Sequence, residues 1–138
     1  MSLGRLMMKA GMGATALVWA VAVTTSAQAP AKSVNDGVYS TSQASRGQAL
    51  FQSICTTCHA PDRFTGEEFV SAWSGKPIVE LFKAVQTMPE DNPGSLSAQQ
   101  YADVMAYFLS LNKYPSGSDE LKGDAEALSS IQFEAAKP

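Results

Sequence analysis

The pentapeptide Cys55-Thr56-Thr57-Cys58-His59 constrains this chain more than any other segment, because it contains both of its cysteines and its one histidine. This C-x-x-C-H arrangement is typical of covalent c-type haem attachment. Two sulfurs separated by two residues can each form a thioether with one of the two vinyl groups of the porphyrin. The adjacent histidine then lies under the iron and supplies an axial imidazole. We therefore predict one haem c, bound through Cys55 and Cys58 and ligated by His59.

Other uses of paired cysteines fit this sequence less well. A thioredoxin-like redox pair needs a βαβ context, and no strand-rich run precedes Cys55. A zinc site needs a fourth ligand, but the chain has no further Cys or His. A disulfide between Cys55 and Cys58 would close a very small loop and contribute little stability. A chance occurrence is disfavoured because the chain also has the features of an exported protein.

A second motif, Met88 followed by Pro89, predicts the ligand on the opposite face of the iron. A thioether opposite histidine raises the reduction potential and gives a six-coordinate electron carrier. From Pro30 onward the only other methionine is Met105, which lies among apolar residues of a predicted helix and is expected in the core. Pro89 holds the backbone of Met88 extended. We predict that Met88 ligates the iron; the alternative is a loop methionine that fills a gap.

The first 29 residues have the features of a secretory signal peptide. Arg5 and Lys9 form a positive region, an apolar stretch follows, and residues 27–29 (Ala-Gln-Ala) fit the small-x-small cleavage rule. Cleavage after Ala27 or Ala31 is the alternative, because Pro30 is unfavourable directly after a cleavage site. The alternative is an uncleaved membrane anchor, because residues 10–31 carry no charge. The apolar core of that segment is short, however, for a span of about 20 residues. We expect export to a periplasm, with contact to the membrane only if the segment is uncleaved.

The composition gives no indication of nucleic-acid binding. The 138 residues include 10 Lys or Arg and 13 Asp or Glu, for a formal net charge of −3. Removal of Arg5 and Lys9 with the signal peptide takes away two positive charges and leaves −5. A net acidic surface mainly affects solubility and the partners that approach fastest. The remaining length suffices for one domain with a modest core, which a flat apolar porphyrin would enlarge.

Apolar periodicity predicts an all-α domain of about four helices around the porphyrin. The first helix is expected over residues 42–54, capped by Thr41 or Ser42, and leads directly into Cys55. Gly47 lies in the middle of this helix, where glycine costs roughly 1 kcal/mol relative to alanine. We interpret it as the place where another helix crosses closely, with a merely tolerated glycine as the alternative.

Three further helices are expected after the pentapeptide. The second begins at Thr65, with Glu68 three residues on to complete a capping box. The third has Pro77 at its first position. The last core helix has a capping box formed by Ser97 and Gln100.

Two contacts of the haem are also expected. One of the carbonyl groups of residues 60–64 is a candidate to accept a hydrogen bond from the second ring nitrogen of His59. Trp73 is a candidate to donate its indole N–H to a haem propionate, with ordinary core packing as the alternative.

With these features, the chain resembles a class I cytochrome c over about residues 40–113. The resemblance rests on the first helix, the C-x-x-C-H box, the Met-Pro…Pro-Gly-x-Leu-Ser loop and residues 106–109 of the closing helix. It implies a cytochrome c fold in which Gly47 and Phe51 pack against Val104 and Tyr107. One departure is that the usual Gly-Pro after the haem histidine is not present.

The chain is expected to have four segments. These are a signal peptide over residues 1–29, a flexible leader over 30–40, a cytochrome c domain over 41–114, and an extension over 115–138. The extension either packs on the domain or is partly disordered. A short helix over residues 124–130 is possible, and Phe133 is a candidate to contact the body of the domain.

The function implied is single-electron transfer in the periplasm with His/Met ligation, without enzymatic bond chemistry. Cytochromes with this loop are similar to those that accompany quinoprotein dehydrogenases, so the expected donor is a PQQ-dependent dehydrogenase. The expected acceptor is a terminal oxidase or another cytochrome. The alternatives are a five-coordinate haem sensor or peroxidase-like enzyme, or a membrane-tethered cytochrome subunit of a dehydrogenase.

Overall fold

Helices dominate the computed structural model, which describes residues 32–137, and the predicted all-α fold is confirmed. Two very short strands and two 3-10 turns accompany the helices. The predicted signal peptide lies outside the described residues. Among residues 32–137, none of the helices combines the length and the hydropathy that a transmembrane helix requires. The helices are α1 (Thr41–Leu50), α2 (Gly66–Trp73), α3 (Ile78–Gln86), α4 (Ala98–Leu111) and α5 (Ala125–Ser129), and the strands are β1 (Lys32–Ser33) and β2 (Ile131–Gln132).

Helices α1 and α4 form the centre of the fold, and they cross at Gly47 as predicted. A Cβ atom added to Gly47 would lie only 1.8 Å from the backbone oxygen of Asp103. One helical turn further, the rings of Phe51 and Tyr107 lie 5.6 Å apart between their centroids. Only glycine permits so close an approach of two helix backbones.

The ends of the helices agree with the predictions in part. Helix α4 begins with the predicted capping box, in which the Ser97 hydroxyl accepts from the Gln100 N–H at 3.2 Å. Helix α1 begins one residue earlier than predicted, and its cap is Ser40, whose hydroxyl accepts from the N–H of Gln43 at 3.1 Å. Pro77 is the residue before α3 and not its first residue.

The predicted capping box at the start of α2 is wrong. Thr65 does precede the helix, but its hydroxyl donates to the backbone oxygen of Asp62 at 2.8 Å and caps nothing. The 3-10 turn over Pro61–Phe64 brings that oxygen within reach, and this local partner competes with the helix N–H groups.

The predicted flexible leader over residues 30–40 is wrong from Lys32 onward. Lys32 of β1 pairs in parallel register with Ile131 of β2. Val34 is completely buried, and the hydroxyl of Tyr39 donates to the backbone oxygen of Tyr114 at 2.7 Å. The segment looked polar because its apolar residues are few, but these few are in the core.

The C-terminal extension packs on the domain over its described part. Phe133 is only 1% exposed, as expected, and its backbone N–H and oxygen bond to Lys76 and Gly75 at 2.9 and 2.8 Å. The short helix α5 lies within the predicted range, with its cap at Asp124. The boundaries of the four segments remain a prediction.

A polar network joins α1, α4 and the extension, and its centre is the completely buried Gln43. The amide nitrogen of Gln43 donates to Asp103 at 3.0 Å and to the backbone oxygen of Leu121 at 2.8 Å. Its amide oxygen accepts from the N–H of Leu121 at 2.7 Å. At the surface, Arg46 bridges Asp103 and Glu120 at 3.0 and 2.8 Å. The hydrogen bond from Arg46 lowers the pKa of Glu120.

We expect Gln43→Ala to lower the free energy of unfolding by about 3 kcal/mol, because it leaves the buried N–H of Leu121 without a partner and removes one of the two donors to the Leu121 oxygen, the other being Gln99. Gln48→Ala is the control, since Gln48 lies on the same helix but is exposed. Chemical denaturation of the two variants measures the difference. Equal stabilities would contradict a stabilising role for the network.

Candidate haem site

The two cysteines lie where α1 changes its helical pitch. The helix continues without a break into a π-helical turn over Phe51–Cys55, in which the N–H of Thr56 donates to the backbone oxygen of Phe51 at 3.1 Å. Such turns are frequent at functional sites because the extra residue redirects the side chains that follow. The oxygen of Cys55 then accepts from the N–H groups of Cys58 and His59 at 3.2 and 2.9 Å. The pentapeptide is therefore a tight turn.

The two cysteines lie in different surroundings. Cys55 is half-buried and Cys58 is exposed. Burial raises the pKa of the Cys55 thiol, so its protonated form is favoured. The two sulfurs are thus presented from an inner and an outer position of the same turn.

His59 carries an unusual buried atom. Its Nδ1 is buried, and among the described residues it has no hydrogen-bond partner. The predicted acceptor within residues 60–64 is not found. The oxygens of Ala60, Asp62 and Phe64 accept hydrogen bonds from other groups. A buried ring nitrogen without a partner is costly. It indicates that this imidazole is built for an interaction that the described protein groups do not supply.

Met88 lies in the loop after α3, and its backbone is fixed from two sides. Its N–H donates to the oxygen of Val85 at 3.0 Å, and its own oxygen accepts from the Tyr101 hydroxyl at 2.8 Å. Tyr101 belongs to α4 and is 1% exposed. The sequence does not predict this bond, because nothing local signals a partner 13 residues away. Met105 is completely buried in α4, as predicted.

Two adjoining cavities, of about 280 and 600 Å³, bring the predicted residues together. The larger cavity also reaches Cys58, which the smaller does not. All four predicted site residues therefore line one continuous region between the pentapeptide and the Met88 loop. The residues that line both cavities are Cys55, His59, Val85, Met88 and Val104.

The walls of the smaller cavity are mostly aromatic or aliphatic. Arg63 is the one charged residue there, and Trp73 lies in the same lining. The larger cavity contains two carboxylates, Glu90 and Asp91. The apolar wall residues of the smaller cavity include Phe51, Phe64, Phe69, Leu81 and Phe108.

These residues fit a haem group. Two thiols, one imidazole and one thioether are the donors that c-type haem requires. The apolar walls suit a flat porphyrin, and a single cation near one wall suits its carboxylates. Within residues 32–137 no cluster of three or more His, Cys, Asp or Glu side chains is placed to hold a metal ion by itself.

Comparison with known proteins agrees with this geometry. Residues 42–108 match the family model described as cytochrome c oxidase, cbb3-type, subunit III. A search of curated proteins and a search of solved structures gave no match. The matched range begins in α1, ends in α4 and includes all four predicted site residues. Residues 42–108 therefore form a c-type cytochrome domain, a kind of domain that binds haem and transfers electrons, and a single-haem class I cytochrome is consistent with it.

Proposed function

We propose that this protein is a periplasmic carrier of single electrons that contains one covalently attached haem c. In this proposal Cys55 and Cys58 hold the porphyrin, and His59 and Met88 are the axial ligands. The observation that supports it most strongly is that His59 and Met88 line both cavities together with Cys55. An imidazole and a thioether facing the same space are what a six-coordinate carrier needs.

Bound haem supplies an iron that alternates between Fe(II) and Fe(III). The residues of the chain hold and shield this group. Tyr101 holds the Met88 loop through its hydroxyl, so that a soft ligand keeps its position. The apolar walls keep water away, which disfavours the additional positive charge of the ferric state and raises the reduction potential. Arg63 and Trp73, at the smaller cavity, are proposed to hold the carboxylates of the porphyrin.

Covalent attachment is tested by a denaturing gel stained for peroxidase activity. We expect the protein, expressed with a cytochrome c maturation system, to give a coloured band. The double variant Cys55→Ala and Cys58→Ala is expected to lose the stain completely, because denaturation releases haem that no thioether holds. The control variant Thr57→Ala changes a residue of the same turn but keeps both cysteines, so it should keep the stain. A colourless band for the unchanged protein would refute the proposal.

Axial ligation separates the carrier from the five-coordinate sensor or peroxidase-like enzyme. The chain has no second histidine, so the alternative requires Met88 to be off the iron. A sulfur-to-iron charge-transfer band in the oxidised protein supports the carrier. Rapid binding of carbon monoxide to the reduced protein, without that band, supports the alternative.

The proposed donor is a PQQ-dependent dehydrogenase, and the proposed acceptor is a terminal oxidase or another cytochrome. The matched family description names an oxidase subunit, which supports an acceptor of that kind. Co-purification of the untagged protein from its own periplasm tests these partners. N-terminal sequencing of the exported protein tests cleavage after the first 29 residues against the membrane-tethered alternative.

A further inference from the structure

The two cavities of the candidate site differ in charge. The lining of the larger cavity includes Glu90 and Asp91 and contains no Lys or Arg. The lining of the smaller cavity contains Arg63 and no carboxylate. Both acidic residues are exposed, and they follow Met88 and Pro89 in the same loop. The site therefore has a negative side, next to the proposed thioether ligand.

The negative charge of this side is not neutralised within the described part of the chain. Neither Glu90 nor Asp91 forms an ion pair with another residue of the range 32–137. Two other exposed carboxylates, by contrast, are paired: Glu80 with Lys83 at 2.9 Å, and Glu120 with Arg46 at 2.8 Å. Unpaired surface charges are the ones whose field reaches an approaching molecule.

The same side carries the attachment point of the porphyrin. The larger cavity is lined by both Cys55 and Cys58, and Cys58 is exposed. A porphyrin held by these sulfurs presents its thioether edge there. Because electron transfer becomes slower steeply with distance, a partner has to approach the edge that is nearest to solvent.

From the juxtaposition of this edge with unpaired carboxylates, we infer the docking surface of the protein and the kind of partner that fits it. The surface, which we call the acidic mouth, consists of Thr57, Cys58, Pro89, Glu90 and Asp91. Its partner is a redox protein that presents Lys and Arg around its own exposed redox centre. In each encounter the partner gains or gives one electron as the haem iron is oxidised or reduced. The inference rests on the proposed function and adds the partner class.

A small interface suits this surface, because transient redox complexes bury less than about 1,200 Å² in total. In such complexes charge complementarity contributes more to the rate of encounter and to its salt dependence than to the affinity. Loss of the two carboxylates should therefore weaken association at low salt and matter little at high salt.

The test uses the haem-loaded full chain and a lysine-rich cytochrome c in which zinc replaces iron, so that binding is measured without electron transfer. We expect the double variant Glu90→Lys and Asp91→Lys to weaken this binding about tenfold at low ionic strength. Glu90→Gln with Asp91→Asn should have a smaller effect in the same direction. Amide chemical shifts should change mainly at residues 53–58, 90 and 91.

The matched control is Glu67→Lys with Glu68→Lys, because these adjacent carboxylates are exposed and line neither cavity. It changes the net charge by the same amount and should alter the dissociation constant less than twofold. If both double variants weakened binding equally, only the net charge would matter, and the inference would be overturned. It would also be overturned if neither double variant weakened binding. Failure of the proposed function is distinguishable, since it appears as absent haem absorption before any binding is measured.

Discussion

Replacement of Gly47 by alanine is expected to lower the free energy of unfolding by at least about 3 kcal/mol. The new methyl group would lie 1.8 Å from the oxygen and 2.4 Å from the carbonyl carbon of Asp103, both backbone atoms of α4. Neither atom can move unless the two helices separate. Helix propensity alone predicts the opposite sign, since alanine in a helix is better than glycine by about 1 kcal/mol. Chemical denaturation of the haem-loaded protein measures the change.

The control for this substitution is Gly75→Ala. Gly75 has a φ of +81°, and a Cβ atom there would meet nothing within 4 Å. Its cost is limited to the left-handed backbone, about 1–2 kcal/mol. If the variant at Gly47 were as stable as the unchanged protein, the close contact of α1 and α4 would be wrong.

Replacement of Met88 by alanine is expected to leave haem attached and to lower the reduction potential by on the order of 0.1 V or more, within the ~0.8 V range over which axial ligands set haem potentials. A thioether ligand stabilises Fe(II) more than Fe(III), so its loss destabilises the ferrous state more than the ferric state. The sulfur-to-iron charge-transfer band should disappear at the same time. Potentiometric titration followed by absorption spectroscopy measures both changes.

Met105 provides the control, because the chain from Pro30 onward has only these two methionines. Met105 is completely buried in α4 and lines neither cavity. Met105→Leu nearly conserves volume, so it should affect stability slightly and the potential hardly at all. An unchanged potential in Met88→Ala, with the charge-transfer band retained, would show that Met88 is not the ligand.

Local signals in the sequence were sufficient for the features that depend on short segments. The capping box of Ser97 and Gln100 was predictable because both partners lie within one helical turn. Gly47 was predictable because glycine within a helix is unfavourable unless a neighbour requires it. The pentapeptide was predictable because the chemistry of haem attachment fixes its spacing.

Features that depend on distant partners were not predictable. The bonds of Gln43 to Leu121 join residues 78 positions apart, and a lone glutamine on a helix gives no indication of them. The acceptor expected for His59 was not found either. The oxygens of Ala60 and Asp62 accept from groups of the following turn, and that of Phe64 accepts from Asn112, 48 positions away. The bond from Tyr101 to Met88 likewise depends on how α4 meets the loop.

The pairing of β1 with β2 has a consequence for the order in which this domain is completed. The first described residues find their partners only in the last ones, and Gln43 finds them only at Leu121. During synthesis α1 and the pentapeptide emerge long before these partners exist. Contacts of such long sequence separation form slowly. A growing chain therefore leaves Gln43 and the start of the domain without their partners until its final segment is present.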